Sequence, residues 1–486
     1  MGMKTWGGAL ALSALALAVG ACAADGGGRA AETAVAPGKR NVILFLGDGM
    51  GVSTVTAARI FAGQQQGQPG EDYSLSFERF PNVALVKTYN TDAQVADSAG
   101  TMSAIMTGEK TRIGHISVGA AAGQGDCGAA LQNELPTLLE LAEDRGFATG
   151  VISTARITHA TPAATFAHVP DRDWESDSQL PEGAVEAGCR DIARQLVEFD
   201  HGDGIEVVLG GGRAMFQPAT ASDPEYPQNS GIRSDGRDLI AEWSERRPDS
   251  RYVWNGEQFE RLSPRDAAPV LGLFEPSHMR FEADRATDEG GEPSLAEMTA
   301  FAIRKLRRNP QGFFLMVEGG RIDHAHHASN AYRALADTVA MADAVEAALR
   351  LTDADETLIL VTADHSHTFT ISGYPRRGNP ILGKVEYADG VPATDTGGRP
   401  YTTLGYANGP GYQEDVPDLS QVDTQALNYR QLGTIPLESE THGGEDVAAF
   451  ATGPGADRVR GVMEQNRLFH VMHRALMPDA VPPGDR

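Results

Sequence analysis

The chain has 486 residues, 41% of them apolar, and a formal net charge of −25. This length allows one large domain or one domain with insertions, because single hydrophobic cores stop growing near about 250–300 residues. The negative charge argues against nucleic acid as a partner. If the substrate is a phosphate, so acidic a protein needs bound cations to make its site locally positive.

Residues 1–21 are typical of an export signal, with Lys4 followed by an apolar run at 9–19. This run is shorter than the roughly 20 residues that cross a bilayer. Residues 19–22 resemble a bacterial lipoprotein processing site, in which Cys22 becomes the lipidated first residue. The alternative is an ordinary A-x-A cleavage site at Ala21-Cys22-Ala23. Residues 22–40 are predicted to be a flexible tether. We therefore expect an exported protein, either periplasmic, secreted, or anchored to the outer membrane through Cys22.

From residue 41 onward, apolar runs of strand length alternate with helical patterns. Strands are predicted at 41–46, 148–153, 205–209, 313–317, 357–362 and 448–451. Helices are predicted at 54–63, 135–146, 190–199, 294–308 and 328–351. This alternation predicts an α/β fold, a three-layer αβα sandwich around a mostly parallel central sheet. Two stretches lack the pattern and are predicted to be a side insert at 217–276 and a larger excursion at 371–436.

Acidic and imidazole side chains follow three of the predicted strands. They are Asp48 after the first strand, Glu318 after the fourth, and Asp364 and His365 after the fifth. Ligands of open α/β sheets bind beyond the carboxyl ends of the strands, so these side chains should meet at one edge. A single such aspartate is commonly a turn or cap residue. Several carboxylates together repel one another unless cations balance them, so the set predicts a cation cluster.

A second dense cluster follows the fourth predicted strand. Asp323 and His327 are four residues apart and share one face of a helix, so they can bind one zinc ion together. His442 can supply a third ligand and leave one position open, as in catalytic zinc sites. His324 and His326 are surplus to this set and are expected behind the ligands or at the surface.

Ser98 is the candidate nucleophile, in the segment Ala96-Asp97-Ser98-Ala99-Gly100-Thr101. The following residues 102–107 have a helical pattern, which would place Ser98 at a helix N-terminus that attracts phosphate. An ordinary serine N-cap is the alternative. Neither a phosphate-binding P-loop nor a G-x-S-x-G elbow matches the spacing of the neighbouring glycines.

Three cysteines are present, and two remain if Cys22 is lipidated or removed. In an exported protein Cys127 and Cys189 are predicted to form a disulfide, with two unpaired buried thiols as the alternative.

Taken together, these motifs resemble those of alkaline phosphatases and occur in the same order. They are Gly47-Asp48-Gly49-Met50-Gly51, Asp97-Ser98-Ala99, His159-Ala160-Thr161-Pro162, residues 317–327, Ala363-Asp364-His365-Ser366-His367 and Thr441-His442. The resemblance covers roughly residues 41–473 and is closer to the animal-type branch, as His159, His324 and residues 252–255 indicate. It implies that 41–486 is an alkaline phosphatase domain of a bacterial exported member, which hydrolyses small phosphate monoesters.

The resemblance also implies a phosphorylated serine, Ser98, beside two zinc ions and one magnesium ion. It assigns the first zinc to Asp323, His327 and His442, the second to Asp48, Asp364, His365 and Ser98, and the magnesium to Asp48, Thr161 and Glu318. His159 and His324 lie behind these ligands, and Cys127 and Cys189 match a family disulfide. Arg172 is expected to bind two phosphate oxygens through its fork of N–H groups, which lysine cannot copy.

The sequence matches a family calcium site only in part. Glu225, Glu275 and the carbonyl of Phe274 match a calcium site of the animal-type enzymes, but Ala286 falls where the last carboxylate is expected, with Asp284 and Asp288 nearby. Residues 371–436 resemble the crown region that shapes access to the site and meets a partner subunit, so the family implies a homodimer. The alternatives are a phosphodiesterase, sulfatase or phosphomutase on the same scaffold, or a non-catalytic lipoprotein that captures metal or phosphate.

Overall fold

The computed structural model describes Gly2 and residues 39–482. The predicted signal peptide, Cys22 and nearly all of the predicted tether lie outside the described residues. The chain divides into a unit Met1–Gly38 and a unit Lys39–Arg486, and the second unit contains every helix and strand of the described part. No helix of the described part is both long and apolar enough to cross a bilayer.

The strands of the described part alternate with helices through most of the chain. The strands are β1 (Arg40–Gly47), β2 (Asn82–Lys87), β3 (Ala148–Arg156), β4 (Val207–Gly211), β5 (Arg251–Val253), β6 (Val270–Leu273), β7 (Gly312–Gly319), β8 (Thr357–Ala363), β9 (Ser366–His367), β10 (Phe369–Ile371), β11 (Leu404–Gly409), β12 (Gly433–Pro436), β13 (His442–Gly443), β14 (Val447–Thr452) and β15 (Gly461–Glu464). The helices are α1 (Val52–Gln65), α2 (Ser98–Thr107), α3 (Cys127–Ala130), α4 (Leu138–Glu143), α5 (Ala160–Ala163), α6 (Ile192–Glu198), α7 (Arg213–Phe216), α8 (Leu239–Arg246), α9 (Gly256–Glu260), α10 (Leu295–Leu306), α11 (Arg321–His327), α12 (Ala331–Leu351) and α13 (Arg467–Leu476).

Ten strands form the central sheet, in the order β15-β2-β14-β8-β1-β7-β3-β4-β6-β5. All neighbours run parallel except β14, which is antiparallel to β2 and to β8. Strands β7 and β8 are buried along their whole length, which explains why their sequences are continuous apolar runs rather than alternating ones.

Helices cover the sheet in two groups. Helices α1, α10 and α11 pack on α12, which contacts β1 and β7. Helices α2, α4 and α13 contact one another, and α13 also packs on β1. The predicted three-layer αβα sandwich with a mostly parallel sheet is therefore confirmed.

The two stretches without a clear pattern have different structures. Residues 217–276 contain β5 and β6, and β6 pairs with β4, so part of this segment extends the central sheet. Strand β5 has three residues and strand β6 has four, which is too short for a periodic pattern to be detected in the sequence. Residues 371–436 contain β11 and β12, which with β10 form a separate three-stranded sheet.

Two predicted helices begin later than expected. The helix predicted at 328–351 begins at Ala331, because Ser329 has a φ of 55° and separates it from α11. Asn330 caps the new helix by accepting a hydrogen bond from the backbone N–H of Arg333 at 3.0 Å. The helix predicted at 135–146 is reduced to α4, which begins after Thr137 in a capping box with Glu140.

Candidate active site

Three adjacent strand ends bring buried carboxylates together. Gly47, the last residue of β1, is opposite Gly319 of β7 and Ala363 of β8. Asp48, Glu318 and Asp364, each fully buried, are therefore neighbours at the carboxyl edge of the sheet. This convergence follows from strand register alone.

The hydroxyl of Ser98 lies at this edge. Ser98 is the first residue of α2, and the preceding Asp97 caps the helix by accepting a hydrogen bond from Gly100 N at 3.1 Å. Oγ of Ser98 is 3.1 Å from Nε2 of His365 and 3.3 Å from Oδ1 of Asp48. The expected nucleophile thus sits beside two of the expected ligands, at a helix N-terminus.

Asp323 of α11 is surrounded by imidazoles. Its Oδ1 lies 3.3 Å from Nε2 of His327 and 3.5 Å from Nε2 of His442. The two imidazole nitrogens are 3.3 Å apart. Nδ1 of His442 is 2.7 Å from the carbonyl of Ala96, which fixes the orientation of the ring. One carboxylate and several imidazoles converging in this way are a donor set suited to zinc.

Several buried oxygens at the site have no hydrogen-bond partner within the described part of the chain. They are Oδ2 of Asp48, Oγ1 of Thr161, Oε1 of Glu318 and Oδ2 of Asp364. Buried polar atoms are nearly always satisfied, so unpartnered oxygens gathered at one place are donors suited to a cation or water. The all-oxygen set of Asp48, Thr161 and Glu318 fits magnesium, whereas the carboxylate and imidazole sets fit zinc.

The buried acidic and imidazole groups of the site also perturb one another's pKa values. Burial, and then repulsion from Asp364 and Asp323, raise the pKa of Asp48 well above its usual range. Burial raises the pKa of Glu318 to about 8. Burial, followed by the nearby His442, lowers the pKa of His365 well below its usual range, which favours a neutral imidazole able to bind a cation. Nearby cations would favour the charged form of these carboxyls, so the raised pKa values are consistent with a cation site.

Arg172 lies next to the serine segment. It donates from Nη1 to Oδ2 of Asp97 at 3.2 Å, and its Nη2 is 3.3 Å from Nε2 of His159. Asp97 therefore holds the guanidinium beside Ser98 while it also caps α2.

Two residues of this site had no role in the sequence analysis. Nε2 of His367 is 2.8 Å from Oδ1 of Asp323, and its Nδ1 is 2.5 Å from Oε2 of Glu440. Burial opposes charge on His367, but its hydrogen bonds to these two carboxylates raise its pKa to about 10. Their positions in the sequence could have indicated a role at the site, because His367 is two residues after His365 and Glu440 is two residues before His442.

His159 and His324 lie together, with their ring centroids 5.4 Å apart. The structure adds His278 to this pair: its ring centroid is 4.0 Å from that of His324 and 5.2 Å from that of His159. Nη1 of Arg156 is 2.6 Å from Nε2 of His278. His278 lies in the irregular segment between β6 and α10, where no periodic pattern marks it.

A separate group of carboxylates joins two residues of the side insert to Asp288, which follows it in the chain. Glu225, Glu275 and Asp288 bring one oxygen each within 4.8 Å of one another. Asp288 is thus the third carboxylate of this group, whereas Asp284 pairs with Arg333 at 2.6 Å. Burial, and then the charge of Glu225, raise the pKa of Glu275 to about 7.

Cys127 and Cys189 form the predicted disulfide, and 62 positions of sequence separate them.

Known proteins are similar in sequence to nearly all of the unit Lys39–Arg486. A family model described as "Alkaline phosphatase" matches residues 39–477. The chain belongs to the alkaline phosphatase family. It is therefore an enzyme that hydrolyses phosphate monoesters.

Curated alkaline phosphatases of animals are similar over most of their length. The alkaline phosphatase of Gadus morhua is 47% identical over 441 residues, covering 89% of this chain and 91% of its own. The tissue-nonspecific isozyme of Gallus gallus is 48% identical, covering 89% of this chain and 83% of its own. Among solved structures, Thermus thermophilus alkaline phosphatase has a TM-score of 0.65 and 25% identity, covering 92% of this chain and 93% of its own. The expected closeness to the animal-type branch is thus supported by sequence identity.

Proposed function

We propose that this alkaline phosphatase acts through a phosphoserine formed at Ser98, with two zinc ions and one magnesium ion held by the acidic and imidazole residues of the site. The observation that carries the proposal is the position of Oγ of Ser98, 3.1 Å from Nε2 of His365 and at the N-terminus of α2. A hydroxyl in this position is next to the expected ligands and to Arg172.

Each metal would have its own donor set. Asp323, His327 and His442 would hold the first zinc, Asp48, Asp364 and His365 the second, and Asp48, Thr161 and Glu318 the magnesium. When bound, such ions act as Lewis acids that lower the pKa of a neighbouring hydroxyl and offset charge on phosphoryl and leaving oxygens. The unpartnered oxygens of Asp48, Thr161, Glu318 and Asp364 support this assignment.

The chain's own residues then carry the transfer. Ser98 releases its hydroxyl proton to solvent as Oγ attacks phosphorus, and the bond from phosphorus to the alcohol oxygen breaks as the new bond forms. The alcohol leaves with that electron pair and takes a proton from solvent. Water then attacks the phosphoserine, which releases inorganic phosphate and restores the hydroxyl of Ser98.

Arg172 would orient the phosphoryl group during both steps. Its guanidinium can donate two parallel hydrogen bonds to two phosphate oxygens. The hydrogen bond from Nη1 of Arg172 to Oδ2 of Asp97, at 3.2 Å, holds the guanidinium beside Ser98. His159 and His324 would act behind the metal ligands.

The proposal is tested by rapid mixing with p-nitrophenyl phosphate, quenching, and mass spectrometry of the peptide that contains Ser98. We expect a gain of one phosphoryl group on Ser98 and its absence in Ser98→Ala, which should retain zinc but lose nearly all turnover. Near-full turnover by Ser98→Ala would remove the covalent step. Parallel assays with the matching diester and sulfate would separate this activity from that of a phosphodiesterase or a sulfatase.

We also propose a calcium ion at Glu225, Glu275 and Asp288, with the carbonyl of Phe274. Oxygens of the three carboxylates lie within 4.8 Å of one another, and burial raises the pKa of Glu275 to about 7. A cation between these carboxylates would offset their repulsion, which supports the proposed site. Calcium should raise the melting temperature of the wild-type protein and have no effect on Asp288→Asn. An equal response of both proteins would contradict the site.

Export and dimerisation are further parts of the proposal. A disulfide between Cys127 and Cys189 fits an oxidising compartment. Cell fractionation with globomycin-type inhibition of lipoprotein processing would test lipidation at Cys22, and light scattering would test the homodimer suggested by the crown-like residues 371–436.

A further inference from the structure

The carboxylate of Asp97 is held from two sides at the N-terminus of α2. Within the described part of the chain it accepts hydrogen bonds from four donors. Its Oδ1 accepts from Nδ2 of Asn90 at 2.8 Å and from Gly100 N at 3.1 Å. Its Oδ2 accepts from Gly114 N at 3.0 Å and from Nη1 of Arg172 at 3.2 Å. Asp97 is only 7% exposed, so the protein rather than water sets the direction in which Oδ2 faces.

Asn90 supplies the side-chain donor on the opposite side of this carboxylate from Arg172. A carboxylate has only acceptors, so the side-chain amide must present Nδ2 rather than its oxygen to Asp97. Asn90 binds Oδ1 while Arg172 binds Oδ2, so rotation of the carboxylate about its Cβ–Cγ bond would break both contacts. Asn90 can therefore affect the guanidinium of Arg172 through Asp97.

The segment between β2 and α2 fixes Asn90 itself. Its backbone N–H donates to the carbonyl of Ala93 at 3.1 Å, and the residue is 4% exposed. The N–H of the next residue, Thr91, donates to the carbonyl of Thr111 at 2.9 Å, which joins this segment to the one that follows α2. A Cβ on Gly100 would lie 2.8 Å from Nδ2 of Asn90, so the glycine is what allows the amide to come this close. The amide is thus a rigid support for Asp97.

The orientation of Arg172 decides how it can bind phosphate. A guanidinium makes two parallel hydrogen bonds to two phosphate oxygens only when its plane faces them. The side chain of Arg172 is 23% exposed, so its direction depends on the hydrogen bond to Asp97 more than on packing. We propose that Asn90 is a positioning residue for the phosphoryl group, which acts through Asp97 on the orientation of Arg172. This inference rests on the proposed role of Arg172.

The test is a double-mutant cycle on the full-length enzyme with zinc and magnesium supplied. The inhibition constant of inorganic phosphate and kcat/KM for p-nitrophenyl phosphate are measured for the wild type, Asn90→Ala, Arg172→Ala and the double variant. We expect Asn90→Ala to raise the inhibition constant and to lower kcat/KM by about three- to tenfold, with zinc content unchanged. In the Arg172→Ala background the same substitution should have no further effect, because no guanidinium is left to orient.

The matched control is Asn41→Ala. Asn41 is 6% exposed and donates a side-chain hydrogen bond to Oγ1 of Thr357 at 3.0 Å, at the amino end of β1 and therefore at the opposite end of that strand from Asp48. This variant should melt at a lower temperature and keep the phosphate inhibition constant of the wild type.

Asn90→Asp is a second variant, which keeps the shape of the side chain but replaces the donor by an acceptor. It should weaken phosphate binding at least as much as Asn90→Ala, and it serves in the cycle if Asn90→Ala does not fold. Additive effects of the Asn90 and Arg172 substitutions would overturn the proposal, because Asn90 would then act independently of the guanidinium. So would an unchanged inhibition constant in the Asn90 variants, or an equal change in Asn41→Ala. An inhibition constant unchanged in Arg172→Ala would instead contradict the proposed role of Arg172 and remove this inference with it.

Discussion

Nε2 of His367 lies 2.8 Å from Oδ1 of Asp323, the same oxygen that faces the imidazoles of His327 and His442. Its other nitrogen contacts Glu440 at 2.5 Å. His367 therefore fixes the position of a carboxylate that we assign to zinc, while it touches neither Ser98 nor the expected position of the phosphate.

Replacing His367 should weaken zinc binding rather than abolish the fold. Because residues that orient a metal ligand typically contribute 10–100-fold to affinity, we expect His367→Ala to lose zinc at a chelator concentration about tenfold lower than the wild type. Zinc content after dialysis and turnover as a function of added zinc would measure it. The control is His201→Ala, a half-buried histidine whose Nδ1 lies 3.1 Å from Asp144, and unchanged zinc retention in His367→Ala would contradict the positioning role.

Gly49 combines a backbone and a packing requirement. Its φ is +64°, and a Cβ there would collide with the ring of His367. Gly49→Ala should therefore lose most phosphatase activity and melt at a lower temperature. Gly67→Ala is a matched control, because Gly67 has a φ of +74° with open space around it and should show only the backbone cost of about 1 kcal/mol. Equal effects in both variants would show that the ring contact is unimportant.

Arg172 should act on phosphate rather than on metal. Hydrogen bonds to charged groups contribute about 1.5–3 kcal/mol, so Arg172→Ala should lower kcat/KM for p-nitrophenyl phosphate by roughly 10–100-fold. Inhibition by inorganic phosphate should weaken in parallel, with zinc content unchanged. Arg172→Lys should recover little of either, since one ammonium cannot make two parallel hydrogen bonds. Phosphate inhibition equal to that of the wild type would contradict this role.

Two neighbouring carboxyls outside the candidate active site, Glu143 and Glu206, should make the free energy of unfolding depend on pH. Burial raises the pKa of Glu143 to about 7, and burial together with the charge of Glu143 raises that of Glu206 to about 8. The folded state thus binds these protons more tightly than the unfolded state, so stability is present below about pH 4.5 and is lost as the pH rises towards about 8.

Glu206→Gln should remove part of this loss, because an amide has no proton to release. We expect its melting temperature to exceed that of the wild type at pH 9, by about 1–3 °C, and to equal it at pH 5. Exposed Glu182→Gln is the control and should change neither value. A gain of equal size at both pH values would point to packing rather than ionisation.

The sequence predicts those strands that are buried on both faces, because burial on both faces requires an unbroken run of apolar residues. Strands β1, β7 and β8 are buried on both faces, so their apolar runs are unmistakable. Strand β2 was missed, because it alternates buried and exposed residues over only six positions. For the same reason β15, with four residues and no buried position, left no signal.

The candidate site divides in the same way. Asp48, Glu318 and Asp364 could be found because strand ends place them, and motifs placed Ser98 and His442. His278 and Asp288 could not, since they lie in irregular segments where only tertiary contacts decide which side chains meet. Asp284 and Asp288 are equivalent in the sequence, and the contact of Arg333 with Asp284 is what distinguishes them.

The disulfide between Cys127 and Cys189 closes a covalent loop of 62 positions that contains β3, Thr161 and Arg172, but none of the residues assigned to zinc. Reduction of this disulfide would therefore act on the segment that carries Thr161 and Arg172. A reductant should loosen the segment that carries Thr161 and Arg172, which we assign to magnesium and to the phosphoryl group, and leave the residues assigned to zinc in place. The redox state of the compartment would then change the affinity for substrate and magnesium before it changes zinc content.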